Sequence, residues 1–289
     1  MGKDISTLVE DIYAVIQGQG GWDEVISKSF SDEVEALMNR RLASTTSTSD
    51  YKPNLRMSSI GQPCWRKLWY SINLRHTGVP TSGPNLLKFL QGDLLEALLI
   101  SLAKAAGHDV TGEQDVLMCH GIRGQRDCVI DGVTVDIKSA SANAMKKFTT
   151  GSLRTDDPFG YIRQLAGYVE GAKDDPLVTD KKRGAFLAID KANGTLVLDV
   201  YDFTPEIESM GKYIEDLREM VSQPTPPPRA YEDIPEGKSG NYKLDTPCVF
   251  CDYKHECWEG LRSFKYAWGD IHLTKVVREP DKRILEVTP

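Results

Sequence analysis

The chain has 289 residues, 27% of them charged, with a net charge of −7 and an isoelectric point near 5.4. That balance excludes a protein that coats duplex DNA by charge alone, because such binding rests on an excess of Lys and Arg. No apolar run is long enough to span a bilayer and the N-terminus lacks a signal-peptide pattern. A soluble protein of the cytoplasm is therefore expected (the host cytoplasm, if a phage encodes it), with no membrane partner.

Ile5, Leu8, Val9, Ile12, Val15 and Ile16 keep a helical period over 4–17, ending at Gly18. A second helix fits 32–42, and the Ser/Thr-rich run from Ser44 to Asp50 reads as a linker. Helices follow over 62–72 and over 84–106, the latter stopped by Gly107. Short strands are expected at 116–119, 125–130 and 133–139, then a helix over 158–172. A second hairpin, 185–189 with 195–201, surrounds Lys191-Ala-Asn-Gly194. A helix over 205–222 is closed by the stiff segment Pro224-Thr-Pro-Pro-Pro228. Beyond it lie a cysteine cluster and little regular structure. The sum is an α+β fold, a mixed central sheet flanked by helices on both sides. Its expected divisions are an N-terminal helical region and linker (1–57), a core (58–223), and a C-terminal lobe (224–289) that also takes in Cys64.

The most informative stretch is Gly124-Gln-Arg-Asp-Cys-Val-Ile-Asp-Gly-Val-Thr-Val-Asp-Ile-Lys138. Asp131-Gly132 between Val/Ile-rich runs signals a two-residue hairpin turn, which pairs Ile130 with Val133 and sets Asp127 opposite Asp136. Side chains alternate along a strand, so Asp136 and Lys138 share a face. Like charges directly opposed across strands are destabilising. A divalent cation between the two carboxylates removes that cost, and two carboxylates with an ammonium around such a cation suit phosphodiester cleavage. The plainer reading is an exposed edge hairpin with solvated carboxylates.

Cys119 and Cys128 fall in apolar strands and read as small buried hydrophobes. Cys248-x2-Cys251-x5-Cys257 sits in a loop-rich region and implies a metal. Cys64 is the candidate fourth ligand, with His255 as the other option. Four thiolates suit zinc and an iron–sulfur cluster alike. Gln164 and Tyr168 lie one turn apart on a helix with Tyr161 and Arg163 close by, and could contact a nucleotide or help position the lysine. Glu96 stands among apolar residues, either facing solvent with Asp93 or turned into a site.

Taken in order, Cys64-x-Arg66-x-x-x-Tyr70, Gly92-x-x-x-Glu96, Gly124-x-x-Asp127, Asp136-x-Lys138, Gln164-x-x-x-Tyr168 and the Cys-x2-Cys-x5-Cys segment resemble one family. It is the RecB-like branch of the PD-(D/E)XK nuclease superfamily. The likeness is to its iron–sulfur members, the CRISPR-associated RecB-like exonucleases and the nuclease domain of the AddB helicase subunit. The resemblance implies a restriction-endonuclease-like core. It also implies Mg²⁺ or Mn²⁺ held by Asp127 and Asp136 with the Ile137 carbonyl assisting, and Glu96 as a further ligand. Lys138 would orient or activate the attacking water, supported by Gln164 and Tyr168. Cys64, Cys248, Cys251 and Cys257 would bind a 4Fe–4S cluster, with structural Zn²⁺ the alternative. Many iron–sulfur members carry His where Glu96 stands, and phage-type recombination exonucleases carry Glu.

The function expected is metal-dependent exonucleolytic hydrolysis of single-stranded DNA or DNA ends in recombination, repair or phage DNA processing. A structure-specific endonuclease and a non-cleaving, DNA-end-binding iron–sulfur adaptor are the alternatives. A helicase, a recombinase or a single-strand-binding protein would be a fitting partner, and an oligomer is compatible with the sequence.

Overall fold

The computed structural model describes residues 2–43, 54–74, 77–79 and 81–287. The expected linker from Ser44 to Asp50 lies outside the described residues. The helices are α1 (Leu8–Ala14), α2 (Glu24–Ala43), α3 (Met57–Ile60), α4 (Trp65–Asn73), α5 (Gly83–Ala105), α6 (Ala142–Thr149), α7 (Tyr161–Gly171), α8 (Thr204–Ser222), α9 (Thr246–Val249) and α10 (Lys254–Cys257). The strands are β1 (Val110–Thr111), β2 (Val116–Cys119), β3 (Ile122–Gln125), β4 (Cys128–Ile130), β5 (Val133–Ala140), β6 (Arg183–Asp190) and β7 (Leu196–Asp202). After these come β8 (Ile234–Pro235), β9 (Tyr242–Lys243), β10 (Arg262–Tyr266), β11 (Gly269–Lys275) and β12 (Leu285–Val287). The fold is α+β. Among the described residues no helix is long and apolar enough to cross a membrane.

The chain divides into two compact units, one of residues 1–61 and 81–215, the other of 62–80 and 216–289. Residues 62–80, expected with the core, thus belong to the unit that holds the C-terminal region.

In the first unit a five-stranded sheet runs β1-β4-β5-β6-β7. β5 and β6 are parallel, the other neighbours antiparallel, so the sheet is mixed. One face is apolar: Cys128, Ile130, Val133, Val135, Ile137, Ala185, Leu187 and Ile189 bury against Ile5, Leu8 and Ile12 before and within α1 and Leu99, Ile100, Leu102 and Ala103 of α5. The two-residue period of β5 then forces Thr134, Asp136 and Lys138 to the opposite face, the side of α6 and α7. There Phe186 meets the rings of Phe148, Tyr161 and Tyr201. Burying one face with aliphatic side chains therefore fixes where the charged residues go, since a slip of one residue would exchange the two sets.

The hairpin turn forms as expected. Asp131 (φ 50°) and Gly132 (φ 78°) both adopt left-handed backbone, with Ile130 paired to Val133. His108 clamps that turn, its ring nitrogens lying 2.6 Å from Asp131 Oδ2 and 3.1 Å from Asp11 Oδ2 on α1.

Two expectations need correction. The single strand over 125–130 is broken: β3 pairs with β2 in a separate hairpin, and β4 joins the main sheet. Arg126 causes the break. Its guanidinium is fully buried and binds the Gly112 carbonyl, Asp115 and Asp175. A buried charge needs several such partners, so the chain leaves one ladder and enters the next around it.

The C-terminal region also holds more regular structure than expected. The second unit contains an antiparallel five-stranded sheet in the order β12-β10-β11-β9-β8. Its strands are short and carry Arg262, Lys265, Asp270 and Lys275 among few apolar residues. The hydrophobic alternation that identifies a strand is weak there.

Gly61 and Gly160 pass so closely that a Cβ on Gly61 would lie 1.9 Å from the Gly160 carbonyl oxygen. Gly160 (φ 77°) also caps α7 in a left-handed conformation. The Gly61→Ala variant is expected to lose at least ~1–3 kcal/mol of stability, because backbone cannot yield as a side-chain tip can. Urea unfolding followed by circular dichroism checks this; an unchanged midpoint would contradict the close approach.

Candidate active site and cysteine cluster

The ladder between β4 and β5 stops at Cys128 and Val135, one step short of Asp127 and Asp136, the next facing pair in that register. Asp127 stands where the chain leaves β3 for β4. Its Oδ2 accepts the Ile137 N–H at 2.6 Å, so what the structure shows of Ile137 is its amide rather than its carbonyl. Asp136 is 1% exposed, with Oδ2 paired to the Lys138 ammonium. Its Oδ1 is buried with no hydrogen-bond partner.

Glu96 comes from α5 and is drawn into the same field. Gly92, one turn earlier, lies beside β5, where even a Cβ would make only ordinary contact with Ser139 Oγ at 3.5 Å. Burial, and then the charges of Asp136 and Asp93, push the Glu96 carboxyl up to about 7. Asp127 is held well above the usual carboxylate range by burial and by Asp136 and Glu96. Burial works to lower the pKa of Lys138, but Asp136 and Asp127 outweigh it and raise it above its ordinary value. Three carboxyl groups and one ammonium thus act on one another in a water-poor region.

Helix α7 supplies the lid of this field. The Tyr161 ring lies 5.0 Å from the Lys138 ammonium. The Gln164 amide donates to the Tyr168 hydroxyl at 3.4 Å. Burial pushes that phenol up to about 12, with Asp136 and Asp127 adding to the rise. Gly124 explains the close fit: a Cβ there would fall 2.6 Å from the Tyr168 ring and 2.5 Å from Met57. Every residue of the expected catalytic set therefore belongs to one neighbourhood in the first unit.

Two residues of this neighbourhood, Arg126 and Gln114, escape motif reading, and a third, Tyr161, is legible only as a neighbour of Gln164 and Tyr168. Tyr161 faces Lys138, Arg126 anchors the 112–115 loop through Gly112 and Asp115, and Gln114 donates its amide to Glu96 Oε1 at 2.5 Å. Gln114 comes from a polar loop, 112–115, without any sequence signal. Glu96 and Gln114 also border a cavity of about 1200 Å³ between α2 and α5.

The four cysteines of the expected cluster all belong to the second unit. Cys64 precedes α4, Cys248 lies in α9, and Cys257 ends α10. Burial, then Cys251, Cys257 and Cys64, push the Cys248 thiol up to about 11, so Cys248 lies within electrostatic reach of the other three. Helix α4 is stitched to the C-terminal chain by Trp69 Nε1 to the Gln223 carbonyl (2.9 Å), Arg66 to the Pro227 carbonyl (2.7 Å) and Tyr70 stacked on Tyr253. The His255 ring lies edge-on to His272.

Among the described residues no three His, Cys, Asp or Glu side chains are already gathered to grip an ion. The chemistry of the two sets nonetheless fits the groups expected. Three carboxylates against one ammonium leave two negative charges, and Asp136 Oδ1 lacks a partner, a donor set suited to a divalent oxygen-seeking cation. Four half-buried thiols that repel one another when ionised suit a cationic thiophilic centre.

No known protein family's sequence profile matches the chain, and no curated protein matches it. Among solved structures, the crystal structure of SSO0001 is similar at 14% identity and a TM-score of 0.42, covering 76% of this chain and 92% of that one.

Glu96 costs the metal-free fold stability wherever it must ionise. The cost is absent below its ordinary value of 4.5 and complete above about 7. Metal-free Glu96→Gln is therefore expected to melt above the wild type near pH 8 and level with it near pH 4, read by calorimetry. A variant that melts below the wild type near pH 8 would contradict the buried charge.

Proposed function

We propose that the chain is a metal-dependent deoxyribonuclease of the RecB-like PD-(D/E)XK type, an exonuclease acting on single-stranded DNA or DNA ends. The observation that carries this reading is the buried, unpartnered Asp136 Oδ1 beside Lys138, Asp127 and Glu96. Leaving such an oxygen unmet costs about 1–3 kcal/mol, a cost that a ligand can remove. The ordered motifs from Cys64 to Cys257 support the same reading.

Asp127, Asp136 and Glu96 would hold Mg²⁺ or Mn²⁺. Such a cation supplies positive charge against the scissile phosphate and acidifies water. Lys138, kept protonated by its two aspartates, has three donors and no lone pair. It orients the attacking water and steadies the charge that develops on the phosphate oxygens rather than accepting the proton itself. Tyr161 backs the lysine, and the Gln164–Tyr168 pair closes the site from α7. Cys64, Cys248, Cys251 and Cys257 would hold a 4Fe–4S cluster that ties α4 to the C-terminal chain, with structural Zn²⁺ as the alternative.

Cleavage of end-labelled single-stranded DNA by anaerobically purified protein tests the activity. Wild type is expected to cut with Mg²⁺ or Mn²⁺, and folded Lys138→Ala to cut at least roughly 10²-fold more slowly. Comparable rates would remove Lys138 from the mechanism, and no cleavage by folded, iron-loaded wild type would leave an end-binding adaptor. Cys251→Ser is expected to lose most of its iron and to unfold earlier in the second unit, measured by metal analysis and thermal melting. Full iron content in that variant would refute the ligand set.

A further inference from the structure

Gln114 is a polar loop residue in a conformation that glutamine rarely adopts. Its φ is 55°, in the left-handed region that a glycine enters without strain. Three of its polar groups each reach one partner. The backbone N–H donates to the Asp127 carbonyl at 3.0 Å, and the carbonyl accepts the Gln125 side-chain amide at 3.0 Å. The side-chain amide donates to Glu96 Oε1 at 2.5 Å. One residue thus ties a carboxylate on α5 to the strand position that carries Asp127. Strain of this kind persists where the surroundings over-determine a residue, and such places coincide with functional sites.

We propose that Gln114 is a positioning residue for the divalent-cation site, fixing the rotation of the Glu96 carboxylate so that one of its oxygens faces Asp127 and Asp136. This rests on the reading of those three carboxylates as a cation site. Glu96 lies on a helix and Asp127 between two strands, so the two have no common rigid element to set their separation. The loop 112–115 supplies it. Gly112 (φ 59°) bends against the buried Arg126 guanidinium, where a Cβ would fall 2.2 Å from Nη2. Asp115 accepts the Arg126 N–H through its backbone carbonyl at 3.1 Å and pairs with Nη2 at 2.8 Å. The loop that presents Gln114 is therefore braced from both ends. Its amide, having no titratable proton, offers Glu96 a donor at every pH. Carboxylates that bind metals are characteristically held by such a donor, and its loss typically costs 10–100-fold in metal affinity.

The test uses Mn²⁺ binding to the full-length metal-free protein without DNA, by isothermal titration calorimetry and by the electron paramagnetic resonance of bound Mn²⁺. Gln114→Gly removes the side chain while suiting the left-handed backbone. It is expected to melt at or above the wild-type temperature yet bind Mn²⁺ roughly 10–100-fold more weakly. A residue that served only the fold would give the opposite pair of results. Gln114→Met, similar in length but unable to donate, carries the same comparison if the glycine variant does not fold. Wild-type affinity in either folded variant overturns the role of Gln114 and leaves the cation site standing. Absence of Mn²⁺ binding by folded wild type overturns both.

Discussion

Three carboxyl groups set around a single ammonium, Asp127 just before β4, Asp136 on β5 and Glu96 on α5, are what the rest of the first unit is arranged to hold. One ammonium cannot neutralise three carboxylates, and burial raises the cost of each unbalanced charge. The metal-free protein relieves the imbalance by raising the pKa values of Glu96 and Asp127. A bound cation would relieve it by displacing those protons, so affinity for it should rise with pH. The same groups that make the site costly to fold are the ones that would make it selective for a doubly charged ligand.

The constraint reaches into the scaffold. The apolar face of β4, β5 and β6 sets the register, and the register sends Asp136 and Lys138 to the side of α7. Arg126, bound to Gly112, Asp115 and Asp175, breaks the ladder just before Asp127 and frees its carboxylate to take the Ile137 amide. Glycines then set distance. Gly124 lets Tyr168 approach, and Gly61 and Gly160 let the start of α7 approach. Small residues here do the geometric part of the chemistry.

Much of this was legible in the sequence. Asp131-Gly132 between apolar runs predicts the turn, and the turn predicts which carboxylates face each other; both follow from local backbone preference and period-two burial. Long helices with a clear stop, such as α5 ending before Gly107 (φ 81°), were equally readable. What escaped depends on contacts distant in sequence. Arg126 looks like one more strand residue until Asp115 and Asp175 are seen around it. Gln114 carries no motif because its role comes from meeting Glu96, eighteen positions earlier. The second sheet escaped because its five short strands bury few apolar side chains, Phe264 of β10 and Leu273 of β11 among them, too few to impose an alternating pattern.

The carboxylates around Lys138 are proposed as a cation site. A crystal grown with Mn²⁺ and measured at the manganese absorption edge tests it most directly. An anomalous peak within ligand distance of Asp127 and Asp136, with Glu96 turned toward it, is the result this account predicts. A fully soaked crystal with no peak there, and the Asp136 carboxylate still alone with Lys138, would contradict it.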